Sequence, residues 1–238
     1  IIKSKLMTEP MEVNERMREL LLKMPVGSTV LTVVRLVEQM ALYYNQTKSI
    51  GTLKLNTPED YVQKYVNEYY LMDMFYRRAL EAYHELVTLD IPIEAVINEA
   101  KRQLDQEYAK MANVMNLEWL TCVKEKGEAF RGVTLGRQQN FYRTEGDGTV
   151  KQVVIVSDAL RYEVAVELMQ QLAKEKHIAT LTPYLAMLPT ETKYCKPALL
   201  PHHSLGMLGT EMLVDGTVLN TTDQRTAHLC KYKEGAIC

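Results

Sequence analysis

The stretch Val153-Val154-Ile155-Val156-Ser157-Asp158-Ala159-Leu160-Arg161-Tyr162-Glu163 decides the fold class. Four consecutive β-branched residues after the turn signal Gly146-Asp147-Gly148 read as a short strand buried on both faces, as in parallel sheets. A helical pattern follows from Tyr162 to Lys174, and residues 178–187 offer a second strand, Ala179-Thr180-Leu181-Thr182 especially. Strand, helix and strand within about 35 residues make a βαβ unit, in which ligands sit beyond the carboxyl ends of the strands. Asp158 stands at such an end. Its carboxylate is a hard oxygen donor suited to a divalent cation, although aspartate there is also an ordinary helix cap.

Upstream the pattern changes to helical periods. Val13, Met17, Leu20, Leu21 and Met24 lie on one amphipathic face, with Thr8 and Pro10 suited to its start. A second apolar block runs over residues 30–44 after the break Gly27-Ser28. Thr57-Pro58-Glu59-Asp60 combines a capping hydroxyl, a proline at the first helical position and two acids at the positive end of the dipole. The long helix it opens carries the stripe Tyr61, Tyr65, Tyr69, Met72, Phe75, Ala79, Tyr83 and Leu86, which ends near residues 88–90. Another helix is expected from Pro92, with Val96, Ala100, Leu104, Met111 and Met115 on its face. Such stripes are packed core, and the pair Arg77-Arg78 reads as a solvated face or a salt-bridge site. Glycines accumulate between Gly127 and Gly148. The expected organisation is therefore a helical domain over 1–126, a turn region over 127–149, and an α/β domain over 150–238.

Composition narrows the function classes. The chain has 238 residues, 47% apolar and 24% charged, with a net charge of −2, so it carries enough apolar residues for a core and no basic field for nucleic acid. No apolar run approaches the length of a membrane span, and a cytoplasmic protein without membrane contact is expected. Cys122, Cys195, Cys230 and Cys238 show no C-x-x-C spacing and are read as reduced thiols. No P-loop, dinucleotide fingerprint or H-E-x-x-H occurs. The start at Ile1 and the stop at Cys238 suggest a piece of a longer protein.

The second chemistry-bearing segment is Leu188-Pro189-Thr190-Glu191-Thr192-Lys193-Tyr194. A threonine at a helix start can be metal-bound and attack phosphorus once a cation stabilises its alkoxide, and helix amides near Lys193 could hold phosphoryl oxygens. Capping and turn roles explain the same threonines equally well.

Together, Ser157-Asp158-Ala159-Leu160-Arg161-Tyr162-Glu163, the P-T-E-T segment, Ala198-Leu199-Leu200-Pro201-His202 and Val214-Asp215-Gly216 resemble the PglZ family. Asp73 and Tyr76-Arg77-Arg78 look like the helical region that precedes PglZ domains in BREX-type phage-defence proteins. The resemblance implies an alkaline-phosphatase-like parallel sheet, here its N-terminal portion, preceded by an all-α domain. It implies a metal-dependent phosphoesterase acting as a phosphodiesterase, nuclease or phosphatase. The metal would be zinc, with manganese or magnesium as alternatives. Asp158 becomes a metal ligand, and Thr192 becomes both the nucleophile and a second-metal contact. Substrates would be phosphate esters or nucleic acid, and partners other defence components. Arg161 and Glu163 are expected to form a structural pair, and Lys193 to meet phosphate or solvent. Cys195-Lys196-Pro197 departs from the family's small residues. No Asp-His pair follows Thr192, so the remaining ligands are expected beyond Cys238, with His202, His203 and His228 read as solvated or capping residues. The alternative is a non-catalytic assembly module, with the helical half docking other components.

Overall fold

Thr57 caps its helix as its sequence suggests. Its hydroxyl accepts from the Asp60 amide at 3.1 Å and the Asp60 carboxylate accepts from the Thr57 amide at 3.0 Å, a reciprocal capping box that satisfies two end donors. The computed structural model describes residues 2–23, 25, 29–51, 53–88, 95–125, 132–146 and 151–238. Contacts divide the chain into two units, one comprising Ile1–Val133 with Tyr162–Leu168, the other Thr134–Arg161 with Met169–Cys238.

The first unit is helical among its described residues. It contains α1 (Ile2–Thr8), α2 (Pro10–Leu21), α3 (Thr29–Ser49), α4 (Pro58–Lys64), a π-helical segment (Tyr65–Tyr69), α5 (Tyr70–Thr88) and α6 (Ala95–Glu125). The expected breaks at Gly27-Ser28 and at Pro92, together with Met24, lie outside the described residues. The periodic stripes meet in one core built on Met17 of α2, Leu36, Met40 and Tyr43 of α3, Met72 and Leu86 of α5, and Leu104 of α6. Each such side chain removed from water stabilises by about 1.5–3 kcal/mol before entropy is counted.

The tyrosine stripe does not run on one uninterrupted α-helix. Tyr61, Tyr65 and Tyr69 are spaced by four, which drifts by about 40° per step on an α-helix. The wider π turn over Tyr65–Tyr69 keeps such residues on one face, and Tyr61 and Tyr69 are buried. Tyr61 accepts from the Leu55 amide at 3.0 Å and Tyr83 donates to the Asn98 side-chain carbonyl at 2.8 Å, while other hydroxyls end on carboxylates. Tyr65 and Tyr108 donate to the two oxygens of Asp73 at 2.6 and 2.9 Å, and Tyr76, stacked on Tyr108 at 3.7 Å, donates to Asp105 at 3.1 Å. Burial first, and the Asp105 charge second, push the Tyr76 phenol up to about 12.

The second unit is mixed α/β. β1 (Gly136–Arg137) pairs in parallel with β2 (Tyr184–Leu185), Gly136 opposite Tyr184. A Cβ at Gly136 would stand 2.8 Å from the Tyr184 ring, so glycine is what lets these strands approach. β3 (Leu205–Leu208), β4 (Glu211–Val214) and β5 (Thr217–Val218) form an antiparallel sheet. Asp215 and Gly216, at φ 49° and 78°, supply the two left-handed residues of a tight β4–β5 hairpin. The remaining helices are α8 (Thr192–Cys195) and α9 (Thr222–Cys230); α7 (Tyr162–Lys174) is divided, its residues Tyr162–Leu168 counting with the first unit and the rest with the second.

The βαβ expectation needs correction. Helix α7 forms, but the 153–156 run belongs to no strand, and its side chains are 51–87% exposed. Only Tyr184 and Leu185 of the expected second strand are paired, and their partner is β1. The reason is pairing, because a β-branched run becomes a buried strand only where neighbours supply ladder bonds and covering faces, and none of the described residues does so here. The turn region expected over 127–149 is described only at 132–146, where β1 lies, and Gly127 and Asp147-Gly148 fall outside the described residues.

Candidate active site

Asp158 occupies the turn that follows the exposed run, and Thr192 is the first residue of α8, after Glu191 at the cap. They are 34 positions apart, yet the Thr192 hydroxyl donates to both oxygens of the Asp158 carboxylate, at 3.2 and 3.1 Å. Both residues are exposed, so the pair faces solvent. Ala159, next to Asp158, holds φ 57°, a left-handed conformation that costs a non-glycine residue about 1–2 kcal/mol. Strain beside a solvent-facing carboxylate is a recurrent feature of functional turns.

Helix α8 is a single turn. The Tyr194 and Cys195 amides both donate to the Glu191 carbonyl at 2.9 Å, so these two are engaged by the turn itself. Lys193 pairs with Glu191 at 3.4 Å and lies 4.6 Å from the Tyr194 ring centroid. The Thr190 side chain is exposed, and no hydrogen bond joins it to Asp158. Burial pushes the Cys195 thiol up, helped by the Asp158 charge and opposed by Gln138.

The V-D-G motif is a corner lock. Asp215 accepts from the His203 and Ser204 amides at 2.9 and 2.8 Å and from the Tyr232 hydroxyl at 2.7 Å. Burial works against its charge, but the Tyr232 bond and the two amides outweigh it and hold the carboxyl well below its usual range. The same bond to Asp215 pushes the Tyr232 phenol up to about 12. Stability from the Tyr232 side is complete below pH 10 and is lost as pH rises through 10–12. From the Asp215 side it is present above the ordinary carboxylate range and lost as pH falls below it. Tyr232→Phe is therefore expected to lower Tm at pH 7 by an amount worth about 1 kcal/mol, and the gap to the parent protein should close above pH 11 and at strongly acid pH. A pH-independent gap in thermal scans would exclude this account.

Among the three histidines after Thr192, His228 departs from the expectation. His228 is buried, not solvated, with Nε2 2.7 Å from the Pro201 carbonyl, and its ring lies 5.4 Å from that of Tyr232. His202 uses Nδ1 on the Leu200 carbonyl at 2.7 Å. Both rings thereby anchor the 200–202 turn.

Glu163 is fully buried, with Arg77 Nε 3.6 Å from its Oε1. Arg77 and Arg78 both bind Glu167 one turn further along α7, the Arg78 contact at 2.9 Å. Burial raises the Glu167 carboxyl, but the two guanidiniums more than offset it and leave it below its usual range. Tyr162 packs edge-on against Tyr70 at 5.4 Å and beside Tyr65 at 6.3 Å. The segment that follows Asp158 in sequence is thus fixed among the helices of the first unit. The sequence marked Arg77-Arg78 as a salt-bridge site but not which carboxylates it meets, because a charge pair across distant segments has no local spacing signature.

The Asp158 carboxylate and the Thr192 hydroxyl are hard oxygen donors within one hydrogen bond of each other, the donor chemistry that a divalent cation takes. Among the described residues no group of three or more His, Cys, Asp or Glu side chains could hold a metal. The pair therefore fits one part of a cation site, not the whole of it. No helix among the described residues is long and apolar enough to cross a membrane.

Comparison with known proteins gives a consistent answer. Residues 139–238 match the family described as the BREX system PglZ alkaline phosphatase-like domain. The chain is 27% identical over 182 residues to the alkaline phosphatase-like protein PglZ of Bacillus cereus (strain H3081.97), a match covering 74% of this chain and 21% of that protein. It is 39% identical over 111 residues to the alkaline phosphatase-like protein BrxZ of Escherichia coli O9:H4 (strain HS), covering 42% of this chain and 13% of that protein. The chain thus spans a small fraction of the length of either relative. No solved structure matches it.

Proposed function

We propose, from the match of residues 139–238 to the BREX system PglZ alkaline phosphatase-like domain, that the protein is a divalent-metal-dependent phosphoesterase of a phage-defence system. Its substrates are phosphodiesters or nucleic acid, Thr192 is the nucleophile, and Asp158 and Thr192 are metal ligands. The metal is zinc, with manganese or magnesium as alternatives. Other defence components are its partners, and the cytoplasm is where it works. The observation that supports this reading is the 3.1 Å bond between two residues singled out by separate motifs.

A cation held by Asp158 and Thr192 supplies Lewis-acid polarisation and lowers the cost of the threonine alkoxide. The chain's own residues do the rest. The Asp158 carboxylate, receiving the hydroxyl's hydrogen bond, orients Oγ1 on a solvent-facing surface where a phosphate ester can approach. Oγ1 forms a bond to phosphorus and its proton passes to solvent, while the bond from phosphorus to the leaving oxygen breaks in line. Water then cleaves the phosphothreonine ester and restores the hydroxyl.

The test uses the full natural protein. Calorimetry with zinc, manganese and magnesium chloride should show binding that Asp158→Ala abolishes, and the same variant should lose hydrolysis of bis-p-nitrophenyl phosphate. Retained hydrolysis in both Asp158→Ala and Thr192→Ala refutes the assignment and leaves an assembly module.

A further inference from the structure

We propose that Gln138 is a positioning residue for the Thr192 hydroxyl, an inference that rests on the phosphoesterase reading above. Gln138 follows β1 directly, and β1 is paired with β2 only two residues before Met187. From there its side chain reaches both ends of the segment that carries Thr192. Its Oε1 accepts from the Met187 amide at 3.0 Å, and its Nε2 donates to the Cys195 carbonyl at 3.3 Å. Inside this bracket the Cys195 thiol donates to the Met187 and Pro189 carbonyls at 3.7 and 3.6 Å, so the segment is also tied to itself. Thr192 lies within the span 187–195, on the one-turn helix whose last residue offers the bonded carbonyl.

The chemistry of the bracket selects a primary amide. One end presents an N–H and needs an acceptor, and the other presents a carbonyl and needs a donor. A glutamate keeps the first bond and repels the carbonyl at the second. A methionine of similar length makes neither. A single turn of helix has too few internal bonds to fix its own direction, so its orientation comes from such outside ties. The Thr192 to Asp158 bonds of 3.1 and 3.2 Å are at the long end for hydroxyl donors, so small rotations of the turn break them. Gln138 thus controls how much of the time Oγ1 stands over Asp158, which enters kcat rather than substrate affinity.

The experiment compares Gln138→Met and Gln138→Glu with the parent in the full natural protein, by two independent readouts. In hydrolysis of bis-p-nitrophenyl phosphate, Gln138→Met should lose at least about tenfold in kcat with KM within twofold, and Gln138→Glu should fall between it and the parent. In hydrogen exchange without substrate, amides over 187–196 should exchange faster in Gln138→Met while those of 205–218 keep their rates. Unchanged exchange over 187–196 overturns the inference, as does faster exchange with an unchanged kcat in an active parent. If the parent hydrolyses no phosphate ester, the phosphoesterase reading fails by itself, and loosening confined to 187–196 still supports Gln138 as the residue that orients Thr192.

Discussion

Thr192→Val is expected to reduce metal-dependent hydrolysis of bis-p-nitrophenyl phosphate by at least about 10³-fold, roughly 4 kcal/mol of transition-state stabilisation, while Thr192→Ser stays within about tenfold of the parent. Valine matches threonine in shape but has no oxygen to form the bond to phosphorus, and it cannot donate to Asp158, whose carboxylate now receives that hydroxyl at 3.1 Å. Serine keeps the oxygen and loses only the methyl that restricts its rotamer. The pattern separates a nucleophile from a cap. Glu191, not Thr192, occupies the cap position of α8, so a structural account predicts equal, small effects from both substitutions. Single-turnover assays with a trapped phosphoprotein intermediate check the outcome. Valine and serine variants of similar activity would remove Thr192 from the mechanism.

Arg77→Met carries the largest expected effect on stability. Glu163 has no exposed surface, and Arg77 places a guanidinium 3.6 Å from it, with Glu167 and Glu81 as further carboxylate neighbours of Arg77. Removing one member of a buried pair leaves a charge in a poorly solvating interior, at a cost of about 3–5 kcal/mol. Arg77 is itself about a quarter exposed, which favours the lower end, about 3 kcal/mol, or roughly 6–12 °C in Tm. The double variant Arg77→Met with Glu163→Met should recover most of the loss, because no charge is then stranded. Urea denaturation of the four proteins in this cycle measures the coupling. An Arg77→Met midpoint within error of the parent would show that Glu163 does not depend on this guanidinium.

The helical half was legible because each of its signals is local. A capping hydroxyl, a proline at the first helical position and apolar residues at helical spacing act within a few neighbours, so Thr57 to Asp60 and the faces of α2, α5 and α6 could be read along the chain. The two sheets were not legible in the same way. Val153 to Val156 has the composition of a buried strand, yet a strand exists only through partners distant in sequence; the pairing found joins Tyr184–Leu185, part of the expected second strand, to Gly136–Arg137, whose composition carries no strand signal.

What the sequence by itself determined is therefore the main helices of the first unit, and through the wording of two motifs it singled out Asp158 and Thr192. Tertiary structure alone decided that these two side chains share hydrogen bonds, that Gln138 brackets the Thr192 segment, and that Arg77 stands beside the buried Glu163. Helix propensity and turn geometry are properties of consecutive residues. Convergence of groups dozens of positions apart depends on which surfaces pack together, and that is set by the summed burial and pairing of the whole fold.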